Sequence, residues 1–257
     1  MKDLFDLKGK LAIVTGGNGG IGLGIARGLA SAGADVAIAA RNEAKTAEVV
    51  KGLEKEFGVK ALGVKVDVRE EKQIKDMVKK VLDTFGRIDI LFNNAGTNIR
   101  KLPQEYVVDE WEEVLDINLR SAFLCSQAVY PAMKAAGGGK IINTGSMTSI
   151  FGAPKVLLYS TSKGGIVQMG RCLANAWAKD NIQVNAILPG FIDTDLTRKA
   201  RVDMPELEER VNTRTPAGRW GVPDDLAGTA VFLASRASDY VTGVALPVDG
   251  GFSVAML

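Results

Sequence analysis

The sequence predicts an α/β fold of the Rossmann type: a doubly wound, seven-stranded parallel sheet flanked by helices. Three observations predict it. Short, nearly continuous apolar runs recur at 11–15, 34–40, 61–67, 88–93, 140–145, 182–188 and 244–248, as strands buried on both faces do. Helical stretches separate them, as the crossovers of a parallel sheet require. The first run passes through a glycine-rich turn into a helix. The 257 residues contain no polar or Pro-rich linker, no repeat and no low-complexity tract, so residues 1–257 read as a single nucleotide-binding domain.

The first strand, Leu11–Thr15, leads into Gly16-Gly17-Asn18-Gly19-Gly20-Ile21-Gly22 and a helix from about Ile21 to Ala32. Strand, glycine turn and helix in that order form the setting of a dinucleotide-binding loop. Gly16 allows the sharp turn, Gly20 a close backbone approach to the pyrophosphate, and Gly22 close packing of helix on strand. The phosphates would meet the free N–H groups of the helix N-terminus. The second strand ends in Ala40-Arg41-Asn42, with no carboxylate to hold the adenosine ribose of NAD. The Arg41 guanidinium suits a 2′-phosphate, so NADP(H) is favoured over NAD(H). Against this, Gly19 brings no second basic residue to the loop, and Arg41 could also be the exposed start of the next helix.

The third strand ends near Asp67-Val68, and the fourth runs into Asn93-Asn94-Ala95-Gly96. Helical stretches at about 109–136 and 155–179 carry more apolar residues than one sheet face needs, among them Phe123, Leu124, Val129, Met169, Leu173 and Trp177. Such a surplus predicts a subunit interface, here a homotetramer built from helix pairs and the C-terminal strand. After Pro189-Gly190, the stretch 191–214 carries Arg198, Lys199, Arg201, Arg210 and Arg214. It reads either as a substrate lid or as a solvated charged face.

Tyr159 and Lys163 are four apart in a helical stretch, so they share a face, and the ammonium can favour the phenolate and lower the phenol's pKa. A tyrosine tuned from about 10 toward neutrality exchanges a proton with an alcohol or a carbonyl oxygen. Ser146 precedes this pair. The chain has no histidine, which excludes a Ser-His-Asp hydrolase and a histidine-ligated metal, and no metal site is expected. Ser146 therefore reads as a hydrogen-bond donor. Lys and Arg exceed Asp and Glu by a net charge of +2, too little for a nucleic-acid surface. No apolar run reaches membrane-spanning length and no secretory segment is evident, so no membrane partner and a cytoplasmic location are expected. Cys125 and Cys172 read as two buried thiols in a reducing compartment.

Thr15-Gly-x-x-x-Gly-Ile-Gly22, Asn93-Asn-Ala-Gly96, Asn118, Ser146, Tyr159-x-x-x-Lys163 and Pro189-Gly190 stand in the order and spacing of the short-chain dehydrogenase/reductase family, which this chain resembles from about Leu7 to Gly251. The resemblance implies that Tyr159 is the acid/base and that Lys163 lowers its pKa and holds the nicotinamide ribose. It implies that Ser146 binds the substrate oxygen and that Asn118 fixes a water. Gly16, Asn18, Gly20, Ile21 and Gly22 would hold the pyrophosphate, Asp67 and Val68 the adenine. Asn94, Ala95 and Gly96 would lie along the ribose side; Pro189, Gly190, Ile192 and Thr194 would meet the nicotinamide. Ala176 stands where many members carry glutamate. The implied activity is NAD(P)-dependent hydride transfer between an alcohol and a ketone.

Three segments, 94–100, 175–179 and 216–221, are similar to the sugar-acid branch of the family, the gluconate 5-dehydrogenase and 2-deoxygluconate dehydrogenase-like members. Arg100 could then pair with a substrate carboxylate, or with an internal one such as Glu105 or Asp109. A 3-oxoacyl-carrier-protein reductase shares the same core motifs. A non-catalytic dinucleotide-binding regulator is the alternative from another class, and the intact Asn118, Ser146, Tyr159 and Lys163 set argues against it.

Overall fold

Seven strands pair in parallel in the order β3-β2-β1-β4-β5-β6-β7. They are β1 (Leu11–Thr15), β2 (Asp35–Ala40), β3 (Ala61–Lys65), β4 (Ile90–Asn93), β5 (Gly139–Thr144), β6 (Ile182–Pro189) and β7 (Ala245–Val248). The computed structural model describes residues 4–255, the side chains of Leu196, Lys199 and Asp203 excepted. Val14 stands opposite Ile38 on one side and Phe92 on the other. Strand order reverses between β1 and β4, which opens a crevice at the carboxyl ends of these strands, where nucleotides bind in such sheets.

Side-chain alternation along the strands sends successive residues to opposite faces, and both faces are apolar. Leu11, Ile13, Leu91 and Ile141 join one core, and Ala12, Val14, Ile38, Phe92 and Ile142 join the other. The first core is closed by Ile74, Met77, Val78 and Val81 of α3 (Glu71–Phe85), which recur at helical spacing, and by Leu124, Val129 and Met133 of α5 (Ser121–Ala135). The second is closed by α1 (Gly20–Ser31), by Leu53 of α2 (Glu43–Phe57), and by α9 (Ala227–Ala234). Asn42 caps α2, its side chain accepting from the Lys45 N–H, and Gly58 ends it in a left-handed conformation. Between α5 and α9 lie the 21-residue α6 (Leu157–Trp177), α7 (Asp195–Asp203) and α8 (Leu207–Arg214).

The structure corrects the sequence reading in several places. The continuous helix expected over 109–136 is α4 (Val108–Leu115), a π-helical turn at Asp116–Arg120, and α5. Helical periodicity cannot register one widened turn, and such turns cluster at functional sites. Cys125 is buried, and burial pushes its thiol up to about 12, but Cys172 is exposed. Of the residues read as apolar surplus, Leu124 and Val129 belong to the core. Leu173 and Trp177 are partly buried against it, Met169 against a separate cluster around Met147 and Ile166, and Phe123 is exposed, as is Trp111. Among the described residues no helix is long and apolar enough to cross a membrane.

Close approach explains two α1 glycines. A Cβ at Gly24 would collide with the Pro223 carbonyl, and one at Gly28 would stand 2.8 Å from the Ala227 Cβ. Gly52, exposed within α2, meets nothing within 4 Å. Gly52→Ala should therefore stabilise the protein by about 0.5–1 kcal/mol, whereas Gly24→Ala should cost about 1–3 kcal/mol as α1 is forced off the Pro223 segment. Urea unfolding of both variants measures the contrast; equal effects would show that Pro223 yields freely.

Candidate active site

The crevice floor is built by hydrogen bonds between β1 and the segment after β4. The Thr15 hydroxyl accepts from the Asn94 and Ala95 N–H groups at 3.0 and 3.1 Å and donates to the Phe92 carbonyl. The Asn94 side chain donates to the carbonyls of Thr15 and Gly16. A Cβ at Gly22 would strike the Gly16 carbonyl and the Asn94 amide. Only a glycine at the start of α1 lets the helix seat here. Thr15 has no assigned role in the sequence reading; its one signal is a hydroxyl closing a buried apolar strand.

From this floor a cleft of about 370 Å³ runs outward, lined by Gly16, Asn18, Ala40, Arg41, Asp67, Val68, Ala95, Gly96 and Ile117, among others. Asn18 ties the glycine turn to α2 through the Thr46 hydroxyl at 3.0 Å. Arg41 is exposed and makes no ion pair among the described residues. Asp67 lines the cleft and is paired with Arg69, whose guanidinium keeps the carboxyl below its ordinary value. Gly20, at positive φ, lies against Thr194, where a Cβ would come 3.3 Å from Cγ2. Thr194 caps α7, its hydroxyl accepting from the Thr197 N–H. Pro189 ends β6, Gly190 follows with its N–H on the Val248 carbonyl, and Ile192 is buried. Ile21 is half-buried on α1.

Asn118, Ser146, Tyr159 and Lys163 come together at the inner end of the cleft. Tyr159 is half-buried, with Ser146 near enough to act on its phenol. The Lys163 Nζ lies 5.6 Å from the Tyr159 ring centre and donates to the Thr144 carbonyl at 2.7 Å. A Cβ at Gly96 would stand 3.4 Å from the Asn118 Oδ1 and 3.6 Å from the Lys163 Nζ, so this glycine keeps the approach to both open. The Asn118 amide, within the π turn, donates to the Thr97 carbonyl and the Ser162 hydroxyl, and its Oδ1 accepts from the Thr97 N–H. Neither of its protons is left for a water. Burial pushes the Tyr159 phenol above its ordinary value, opposed by the Ser146 hydrogen bond and the Arg100 charge. Burial also pushes Lys163 down to about 8.

Arg100 is half-buried and makes no ion pair among the described residues. The neighbouring carboxylates are engaged elsewhere: Glu105 accepts from the Leu102 N–H, and Glu110 pairs with Lys101. The Tyr106 hydroxyl donates to the Ile99 carbonyl and steadies this loop. Within 191–214, Asp193 holds both Arg198 and Arg201, and Arg201 lies over Trp220. Arg214 lies over Phe252, and the side chain of Lys199 is outside the described residues.

The glycine-lined cradle and the cleft fit a dinucleotide. A side chain at Gly96 would crowd Asn118 and Lys163, where the inner end of the ligand must run, and Gly16 and Gly22 let the turn and helix seat beneath it.

A family model described as enoyl-(acyl carrier protein) reductase matches residues 16–253. The chain is 44% identical over 250 residues to a 2-dehydro-3-deoxy-D-gluconate 5-dehydrogenase of Escherichia coli (strain K12), covering 96% of this chain and 97% of that one. It is similar to the crystal structure of a gluconate 5-dehydrogenase from Burkholderia cenocepacia J2315 in complex with NADP and tartrate. The TM-score is 0.94 at 41% identity, over 99% of each chain. It also resembles L-sorbose reductase from Gluconobacter frateurii complexed with NADPH and L-sorbose, with a TM-score of 0.93 at 32% identity over 98% of this chain and all (100%) of that one.

The buried lysine carries a stability cost. An unfolded lysine keeps its proton to about pH 10.4, while folded Lys163 releases it near 8. Between these values the unfolded chain binds more protons, so this group makes stability rise with pH; below about 8 the cost is fully present. Lys163→Met should therefore raise the thermal midpoint at pH 7, and the gain should shrink as the pH rises from 8 toward 10. Scanning calorimetry across that range measures it. A lower midpoint at pH 7 would mean that the Thr144 bond outweighs burial.

Proposed function

Because the chain belongs to the short-chain dehydrogenase/reductase family, we propose that its cleft interconverts a secondary alcohol and a ketone on a hydroxylated acid of the gluconate type. The protein is an NAD(P)-dependent oxidoreductase acting on CH–OH groups. NADP(H) is the favoured cofactor: Arg41 offers an uncommitted guanidinium, and two of its relatives were solved with NADP or NADPH. Gly16, Asn18, Gly20, Ile21 and Gly22 would hold the pyrophosphate, and Val68 would pack on the adenine. Asn94, Ala95 and Gly96 would lie along the ribose side; Pro189, Gly190, Ile192 and Thr194 would meet the nicotinamide. When bound, the nicotinamide supplies or accepts the hydride, which no side chain can do.

The residues of the chain handle the oxygen and its proton. Ser146 and Tyr159 lie near one another, so that a carbonyl oxygen between them could accept from both. Tyr159 then delivers the proton as charge grows on that oxygen, and takes it back in the reverse direction. Lys163 would leave the Thr144 carbonyl to hold the ribose, and its ammonium, then nearer the phenol, would add to the pull of Ser146 and Arg100. Asn118 holds the Thr97 loop to α6 through Ser162. Asn118 would fix a water through the remaining lone pair of its Oδ1. Residues 191–214 would close over the substrate as a lid.

The observation that carries the substrate class is Arg100, without a carboxylate partner among the described residues and close enough to Tyr159 for its charge to act on the phenol. A substrate carboxylate would complete that pairing. Tartrate, bound in the Burkholderia relative, is a hydroxylated dicarboxylate. The 3-oxoacyl-carrier-protein reductase reading rests on the core motifs that it shares. Exposed Trp111 and Phe123 on α4 and α5, with β7 at the open edge of the sheet, support a homotetramer. A dissociable nicotinamide cofactor suits a cytoplasmic setting.

Steady-state kinetics on gluconate-type acids, neutral polyols and acetoacetyl thioesters tests this reading. Tyr159→Phe should lower kcat by several orders of magnitude while cofactor affinity persists. Arg100→Ala should raise KM for the acids about 10- to 100-fold and leave that for polyols nearly unchanged. Equal effects on acids and polyols would make Arg100 structural, and good activity on the thioester alone would transfer the enzyme to the acyl-carrier class. Sedimentation at micromolar concentration should show a tetramer; a monomer would remove the interface.

A further inference from the structure

Gly19 leaves a gap in the phosphate loop that a residue from another element fills. Lys45, on the first turn of α2, reaches across the cleft so that a Cβ built at Gly19 would stand 2.9 Å from its Nζ. The backbone at Gly19 is extended, with φ −177°, a conformation any residue adopts. Nothing in the chain geometry asks for glycine there; the space belongs to the ammonium. The same cleft is lined by Arg41, Asn42 and Lys45 together. Two further contacts set the position of Lys45: Asn42 accepts from its N–H at 3.0 Å, and Asn18 ties the glycine turn to α2 through Thr46.

A cation in the first turn of a helix opposes the helix dipole, which favours negative charge there. Helix formation therefore does not account for a lysine at this position. Its only ion pair among the described residues is a long one, 3.8 Å to the exposed carboxylate of Asp195 at the start of α7. Exposed pairs of this kind contribute little. An incoming phosphate dianion offers more charge at closer range.

We propose that Lys45 is a specificity-determining residue for the cofactor: with Arg41 it forms a two-cation cradle for the adenosine 2′-phosphate, its ammonium entering through the space that Gly19 leaves open. The inference rests on the NADP(H) reading. Arg41 supplies a planar fork and Lys45 a mobile point charge, so the two can hold different oxygens of one phosphate.

Direct binding measures this without turnover. The dissociation constants of NADPH, NADH and adenosine 2′,5′-bisphosphate are determined by calorimetry for wild type, Lys45→Met, Arg41→Ala and Asp195→Asn. Lys45→Met should weaken NADPH and the bisphosphate about tenfold or more and NADH less than twofold, with the loss shrinking at high salt. Asp195→Asn should leave all three unchanged. Adding Gly19→Arg to Lys45→Met should restore the preference for NADPH, because the arginine enters the vacated space from the loop itself. Equal weakening of NADPH and NADH by Lys45→Met would assign the lysine to the pyrophosphate or the lid and overturn the proposal. So would unchanged NADPH affinity in Lys45→Met while wild type still prefers NADPH; that result leaves the NADP(H) reading standing. Tighter binding of NADH than NADPH by wild type would overturn both.

Discussion

The seam between β1 and β4 is the constraint on which the rest of this molecule depends. Two adjacent parallel strands whose chains wind away in opposite directions leave a crevice at their carboxyl ends, and something must hold its two lips. The Thr15 hydroxyl and the Asn94 amide do so, one hydroxyl serving two N–H groups and one amide serving two carbonyls. The seam sets where the glycine turn begins, how closely α1 can pack, and where Gly96 lies relative to Asn118 and Lys163. A side chain at Gly22 would break it from one lip.

The catalytic end of the cleft is built against the preferences of the folded state. A lysine wants water, yet Lys163 is buried with a backbone carbonyl as its hydrogen-bond acceptor, and its pKa falls accordingly. The tyrosine beside it is raised by the same burial and drawn back by Ser146 and Arg100. Burial thus displaces the two groups in opposite directions, the ammonium down and the phenol up. The π turn at Asp116–Arg120 serves the same end, because it brings the Asn118 amide to bridge the Thr97 loop and α6.

Charge is distributed unevenly around this cleft. Of the arginines in the 191–214 stretch, Arg198 and Arg201 are held by Asp193, and Arg201 and Arg214 lie over aromatic faces. Among the described residues Arg41 and Arg100 make no ion pair, one at the adenosine end of the cleft and one beside the phenol. The free cations therefore stand at its two ends, and the number of basic residues in a segment is a poor guide to which of them meet a ligand.

The sequence by itself determined the sheet, the glycine turn and the Tyr159–Lys163 spacing. Each is written in local periodicity: buried parallel strands as unbroken apolar runs, helix faces as spacings of three and four. Its errors were of one kind. A widened turn inside a long helical pattern has no periodic signature, so 109–136 read as continuous, and Cys172 read as buried because apolar neighbours in sequence are not neighbours in space. Only the tertiary structure decided that Lys45 answers the missing side chain at Gly19, and that Arg69 engages Asp67. It also decided that Arg100 acts on Tyr159, and that burial outweighs charge in setting Lys163. These are meetings between elements far apart in the chain, and desolvation is a property of the packed whole, so neither could be read from residues in order.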